Sequence, residues 1–249
     1  MRRYGLIGLS LKHSFSKKYF DDKFKNESIF DCSYELIEVS SIENIHDIVH
    51  QSNLNGFNVT IPYKQNILPF CDVLSPEAKM IGAVNCIKIV DNKYIGYNTD
   101  YIGFLAGLPK NIDYNGQLAI IFGTGGASKA VHYALQSLKM EIVKISSSKK
   151  RNVLSYHDVN PELIKSAKIL VNCTPLGTFP NIEEAIEIPY YSIHSEQVCY
   201  DLVYNPPLTK FLKFCQNQGA FCINGKRMLE VQAEASWEIW SKVGEDFIQ

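Results

Sequence analysis

Leu118-Ala119-Ile120-Ile121-Phe122-Gly123-Thr124-Gly125-Gly126-Ala127-Ser128-Lys129-Ala130 is the stretch on which the fold class turns. Five apolar residues read as a buried strand and run straight into a glycine-rich turn. Beyond the turn, Ala127, Ala130, Val131, Ala134, Leu135 and Leu138 keep three- and four-residue spacing, the stripe of a helix packed on a sheet. Glycines let a backbone turn tightly and approach a pyrophosphate, and a helix N-terminus offers N–H groups and a partial positive charge. Strand, loop and helix in this order therefore read as a dinucleotide-binding unit, with a purely structural turn as the competing reading. Ser128 stands where the third glycine or alanine of the fingerprint is usual.

Working downstream, Glu141 to Ser146, Ile169 to Cys173, Val198 to Val203 and Ala220 to Ile223 read as further strands separated by helical segments, which implies crossover connections and a parallel sheet. The end of the strand after the glycine loop reports on the adenosine ribose. A carboxylate there suits the 2′-hydroxyl of NAD, whereas basic residues suit the 2′-phosphate of NADP. Here it runs Ser146-Ser147-Ser148-Lys149-Lys150-Arg151, which favours NADP; a solvated basic turn is the plainer alternative. The last segment, Met228 to Val243, is dense in apolar residues and reads as a largely buried helix or one held between domains.

Upstream, Tyr4 to Gly8, Phe15 to Phe24, Tyr34 to Val39, Ile42 to Val49 and Gly56 to Thr60 alternate strand and helix. Ala83 to Ile89 and Lys93 to Asn98 flank Asp91-Asn92, a hairpin turn, and predict a mixed sheet with an antiparallel edge. The fold class is thus α/β: an N-terminal α/β domain plus a Rossmann-type domain with a parallel sheet.

Composition narrows the partners. In 249 residues, 25 basic and 26 acidic side chains nearly cancel, so no net field draws the chain to nucleic acid or an anionic membrane. Seven scattered cysteines without a Cys-x-x-Cys pair argue against a disulfide framework or a thiolate metal site. The apolar run after Met1-Arg2-Arg3 is cut short at Lys12 and His13, and no stretch approaches the ~20 apolar residues of a membrane span. A cytoplasmic protein with a small-molecule partner is expected, as monomer or homodimer. His46 and His50 share the spacing of a zinc motif, but Asp47 replaces its glutamate and no third ligand follows, so no metal is expected.

Polar clusters fall where strands give way to loops, the usual ligand position in open α/β sheets. They are Ser14 and Ser16; Asn58, Thr60 and Lys64; Asn85; and Asn98 with Asp100. Singly, each has an ordinary explanation as a helix cap, a strand end or a surface lysine. Together they suit a small hydroxylated carboxylic acid, with hydroxyls for a carboxylate and amides for ring hydroxyls. Lys64 can stabilise a carbonyl oxygen as hydride arrives and pass it a proton. Asp100 would hold the ammonium or complete the relay.

In order along nearly the whole chain, these clusters make the sequence resemble the shikimate dehydrogenase family. The resemblance lies in Lys12-His13-Ser14-Phe15-Ser16, Gly56-Phe57-Asn58-Val59-Thr60-Ile61-Pro62-Tyr63-Lys64, Gly82-Ala83-Val84-Asn85 and Gly96-Tyr97-Asn98-Thr99-Asp100. It continues through the glycine loop, Asn172-Cys173-Thr174-Pro175-Leu176-Gly177, Tyr200-Asp201-Leu202-Val203-Tyr204-Asn205-Pro206, and Asn224-Gly225 leading to Met228-Leu229 and Gln232-Ala233. It implies a substrate domain of residues 1–101 with 228–249, and a dinucleotide-binding domain of residues 102–227. It further implies reversible NADPH-dependent reduction of 3-dehydroshikimate to shikimate, in aromatic amino acid and chorismate biosynthesis.

By the same resemblance, Ser14 and Ser16 hold the substrate carboxylate, Thr60, Asn85, Tyr204 and Gln232 line the substrate pocket, and Lys64 and Asp100 form the catalytic pair. NADP falls to Gly123, Thr124, Gly125, Gly126 and Ala127, to the turn of Ser146, Ser147, Ser148, Lys149, Lys150 and Arg151, and to Thr174, Leu202 and Gly225. The chain departs from the family where Ser146-Ser147-Ser148 replaces a common Asn-Arg-Thr, removing the arginine that grips the 2′-phosphate. Lys149 or Arg151 is the candidate substitute, without arginine's planar contact if it is the lysine. Lys17 replaces a proline and Cys86 a threonine. An NAD-using quinate or shikimate dehydrogenase would share most of these motifs, and a catalytically silent NADP-binding or sensing module is the reading from another class.

Overall fold

The computed structural model describes residues 1–12, 14–147 and 152–242. The chain divides into two compact units, Met1–Thr99 with the chain from Gln232 onwards, and Asp100–Val231.

The first unit contains β1 (Arg2–Gly8), α1 (Ser16–Asn26), β2 (Cys32–Glu38), α2 (Ile45–Ser52), β3 (Gly56–Val59), β4 (Val73–Leu74), α3 (Pro76–Ile81), β5 (Cys86–Val90) and β6 (Lys93–Tyr97). Its six-stranded sheet has the order β2-β1-β3-β5-β6-β4. β1 runs parallel to β2 and β3, β5 is antiparallel to both its neighbours, and β4 joins β6 in parallel. The antiparallel strand is therefore internal. The predicted antiparallel edge is corrected because β4, only two residues long, covers the outer side of β6. The turn between β5 and β6 is built as expected, with Asp91 and Asn92 both at positive φ (49° and 62°), the left-handed pair that matches strand twist.

Alternation along β1 divides the core. Tyr4 and Leu6 pack with Phe20 and Phe24 of α1, while Ile7 packs with Ile45 and Val49 of α2 on the other face. The C-terminal helix α8 (Lys226–Ser241; the four helices between are given below) shares the α1 face. There Trp240 stacks on Tyr4 at 4.8 Å and donates its indole N–H to the Ile87 carbonyl at 2.9 Å. Gly56 admits that indole: a Cβ would lie 2.6 Å from the Trp240 ring.

The second unit contains α4 (Asp100–Gly107), β7 (Leu118–Phe122), α5 (Gly126–Ser137), β8 (Glu141–Ile145), α6 (Pro161–Ser166), β9 (Ala167–Asn172), β10 (Val198–Asp201), α7 (Lys210–Asn217) and β11 (Phe221–Ile223). All five strands are parallel, in the order β11-β10-β9-β7-β8, the doubly wound arrangement. One face packs Phe104 of α4 and Val131, Ala134 and Leu135 of α5 on Ala119, Ile121, Ile169 and Val171. The other packs Ile164 of α6 and Phe211, Leu212 and Cys215 of α7 on Ile120, Phe122 and Leu170. Local chemistry starts the short helices: Asn160 caps α6 and Thr209 caps α7 through their side-chain oxygens, as Ser75 caps α3.

Candidate active site

In an open α/β sheet, ligands gather beyond the carboxyl ends of the strands where the winding reverses. In the first unit that point lies between β1 and β3. Ser14 and Ser16 follow β1, and the Ser16 N–H donates to Ser14 Oγ at 3.3 Å. Thr60 and Lys64 follow β3. The Thr60 N–H donates to the Ile7 carbonyl at 3.0 Å, and the Lys64 carbonyl accepts from the Val84 N–H at 2.7 Å, so the first backbone is pinned to β1 and the second to the segment that leads into β5. The Lys64 side chain is half-buried. Lys17, the departure next to Ser16, bridges Asp21 at 2.9 Å and donates to the Tyr34 carbonyl at 3.0 Å, a tie that proline could not make.

Behind these loops runs a buried polar network that sequence reading found only in part. Asn58 donates to the Asn85 carbonyl (3.0 Å) and to Ser236 Oγ (2.9 Å), and its Oδ1 accepts from the Tyr34 hydroxyl (2.9 Å). Asn85 Nδ2 donates to Thr99 Oγ1 (2.9 Å) and Gln232 Oε1 (3.2 Å), and its Oδ1 accepts from the Thr99 N–H (2.6 Å). Asn98 donates to the Ala83 carbonyl at 2.9 Å. Burial pushes the Tyr34 hydroxyl well above its ordinary pKa, with a hydrogen bond to Ser16 pulling the other way. Ser16, Tyr34, Asn58, Asn85, Thr99, Gln232 and Ser236 thus form one connected set. Breaking any single link strands a buried partner, at about 1–3 kcal/mol. Tyr34, Thr99 and Ser236 were missed in the sequence; the visible signal for Ser236 was its position one helical turn beyond Gln232.

In the second unit the winding reverses between β7 and β9. Gly123 follows β7 with φ +104°, a conformation L side chains rarely adopt, and a Cβ there would press on the Cys173 backbone at 3.2 Å. Gly125 precedes α5, has open space where a Cβ would stand, and brings no side chain of its own to cap that helix. A helix start at a glycine with open space beside it fits a pyrophosphate. Ser128 explains its own departure: it is buried, and its hydroxyl donates to the Gly123 carbonyl at 2.7 Å, tying the loop to the helix.

Thr174 follows β9, and Leu202 and Tyr204 follow β10. Gly225 lies against Leu202 so closely that a Cβ would fall 2.0 Å from the Leu202 carbonyl oxygen, so any side chain there would force backbone to shift. Asp100 opens α4 at the helix N-terminus, where a carboxylate is stabilised, and is 3% exposed. Burial, then Asp201, then Asp100 push the Cys173 thiol well above its usual pKa, which marks that cysteine as packed rather than reactive. Ser146 is buried at the end of β8, its N–H donating to the Leu154 carbonyl at 3.0 Å, and Ser147 is exposed. Ser148, Lys149, Lys150 and Arg151 lie outside the described residues. His46 rests on Tyr94 at 4.7 Å, and among the described residues no three His, Cys, Asp or Glu side chains gather to hold a metal.

Comparison with known proteins agrees with both halves of this description. Residues 6–87 match the family model described as the shikimate dehydrogenase substrate binding domain. A shikimate dehydrogenase (NADP(+)) of Clostridium botulinum (strain Hall) is 36% identical over 95% of each chain. The 1.5 Å crystal structure of shikimate dehydrogenase 1 from Peptoclostridium difficile is 36% identical with a TM-score of 0.83, over 99% of this chain and 95% of that one. A Thermus thermophilus shikimate 5-dehydrogenase in complex with NADP(H) and shikimate is 28% identical with a TM-score of 0.85, over 98% and 94%. With likeness running through every segment that carries the polar network and the glycine loop, the chain belongs to the shikimate dehydrogenase family.

Proposed function

We propose that this chain catalyses the reversible NADPH-dependent reduction of 3-dehydroshikimate to shikimate, a step of aromatic amino acid biosynthesis toward chorismate. The observation that carries this reading is likeness over nearly the full chain to relatives named for that activity. The geometry supports it, since each doubly wound reversal carries the chemistry its half of the reaction needs.

Ser14 and Ser16 offer hydroxyls to the substrate carboxylate, and Thr60, Asn85, Tyr204 and Gln232 line the pocket for the ring hydroxyls. Gly123 to Ala127, Ser146 to Arg151, Thr174, Leu202 and Gly225 hold NADP. When bound, NADPH supplies the hydride. Lys64 stabilises the charge developing on the ketone oxygen and donates the proton that completes the alcohol, and Asp100 keeps the ammonium oriented or relays the proton. Residues 1–101 with 228–249 form the substrate domain in this reading, and residues 102–227 the cofactor domain. All seven cysteines are free thiols, and no helix among the described residues is long and apolar enough to cross a membrane; the free thiols support a cytoplasmic setting.

Lys64→Ala tests the assignment. Turnover should fall by at least about a thousandfold, the scale of losing a proton donor and a charge at the reacting oxygen. Calorimetric affinity for NADP+ should stay close to wild type. Near wild-type turnover would remove Lys64 from the chemistry, and near-full activity in Asp100→Asn would remove the paired role. A wild-type protein that binds both ligands without turnover would favour the silent module.

A further inference from the structure

Asp201 ends β10, is fully buried and belongs to none of the roles assigned above. Its Oδ1 accepts from Asn172 Nδ2 at 2.9 Å and from the Val203 N–H at 3.0 Å, and its Oδ2 accepts from the Thr209 hydroxyl at 2.5 Å. Asn172, also fully buried, passes the connection on. Its Oδ1 accepts from the Thr174 N–H at 3.0 Å and the Thr174 hydroxyl at 2.6 Å, and its carbonyl accepts from the Leu202 N–H at 3.0 Å. One carboxylate therefore joins the loop after β9, the loop after β10 and the cap of α7.

We propose that Asp201 is a positioning residue for NADP binding, fixing Thr174 and Leu202 through the Asn172 side chain and the Val203 N–H without touching the cofactor. The proposal rests on the cofactor roles given above to Thr174 and Leu202.

The surroundings argue that the carboxylate is there for its hydrogen bonds. Cys173, Tyr190 and Cys215 are titratable groups whose pKa values register Asp201, each pushed upward by burial and so neutral at ordinary pH. Among the described residues no cation acts on the Asp201 carboxyl: burial pushes it up to about 6, and hydrogen bonds from Thr209, Val203 and Asn172 pull it back. An asparagine would keep the links toward Thr174 and Leu202 and reverse only the one to Thr209, whose hydroxyl proton loses its acceptor. Its oxygen would replace Oδ1 as acceptor for Asn172 and Val203, and its amide would donate to Thr209 Oγ1, whose hydroxyl can turn to accept. Alanine would strand Asn172 and the Val203 N–H in the interior.

The test is titration calorimetry of NADP+ into the wild type, Asp201→Ala and Asp201→Asn, with thermal melts to confirm folding and steady-state kinetics alongside. Asp201→Ala should weaken NADP+ binding about tenfold, the equivalent of one lost buried hydrogen-bond link. Its kcat at saturating NADP+ should change far less than its KM, and Asp201→Asn should restore wild-type affinity. A merely structural role would lower the melting temperature and the active fraction while leaving the Kd alone. If Asp201→Ala does not fold, Asn172→Ser breaks the link from the β9 side and should show the same weakening. A folded Asp201→Ala or Asn172→Ser with wild-type affinity overturns the proposal, as does an Asp201→Asn as weak as Asp201→Ala. A wild type that does not bind NADP+ overturns the cofactor reading itself, and the proposal with it.

Discussion

At the scale of single residues, Asp201 also makes a claim about pH. Its carboxyl titrates near 6 in the folded protein against an ordinary 3.8, so between those values the folded state holds a proton that the unfolded chain releases. The stabilisation from that proton is complete below about pH 4 and is lost as pH rises through about 6. Two pKa units correspond to about 3 kcal/mol. Replacing Asp201 with Asn removes this slope, so the melting temperature of the variant relative to wild type should be higher at pH 7.5 than at pH 4.5; a constant difference would contradict the assignment. Gly225 makes a steric claim. Its missing Cβ would meet backbone, not a movable side chain, so Gly225→Ala should lower the melting temperature and weaken NADP+ binding together. Retention of both values would show that the Leu202 carbonyl moves aside freely.

Among elements, α8 shows what a sequence can and cannot disclose. Its apolar density announced a helix, and Ala233, Ser236 and Trp240 are its buried stripe in the first unit. What lay hidden was its partner, because Ser236 meets Asn58 across 178 positions of sequence and Trp240 meets Ile87 across 153. Gly56 and Trp240 should consequently be coupled. Trp240→Ala alone should destabilise by about 3–5 kcal/mol. Gly56→Ala should be harmful in wild type but milder in the Trp240→Ala background, where the ring it would strike is gone. Equal effects in both backgrounds, measured by denaturant unfolding, would contradict the packing described. The hairpin of β5 and β6 was legible because Asp91 and Asn92 encode their own turn. The internal position of β5 was not, since strand order depends on the two-residue β4, too short to carry a pattern of its own.

For the molecule as a whole, what could be read beforehand was what repeats locally: the apolar run of β7, the stripe of α5 and the polar residues at strand ends. Ser14, Ser16, Thr60 and Lys64 were found because they follow β1 and β3, and Gly123 to Ala127 because they follow β7. Asn172 and Asp201 escaped although they are the last residues of β9 and β10, because their side chains are fully buried and only the folded interior reveals what their polar groups hold. The central claim is catalytic, and one measurement reaches it directly: initial rates of shikimate oxidation by the purified protein, followed by absorbance of the reduced nicotinamide, with NADP and NAD at matched concentrations and with quinate in place of shikimate. The account predicts turnover that is fastest with NADP and shikimate; comparable rates with NAD or quinate would move the chain to the broader quinate/shikimate group, and absence of turnover with every pairing would contradict the assignment of this chain as an enzyme.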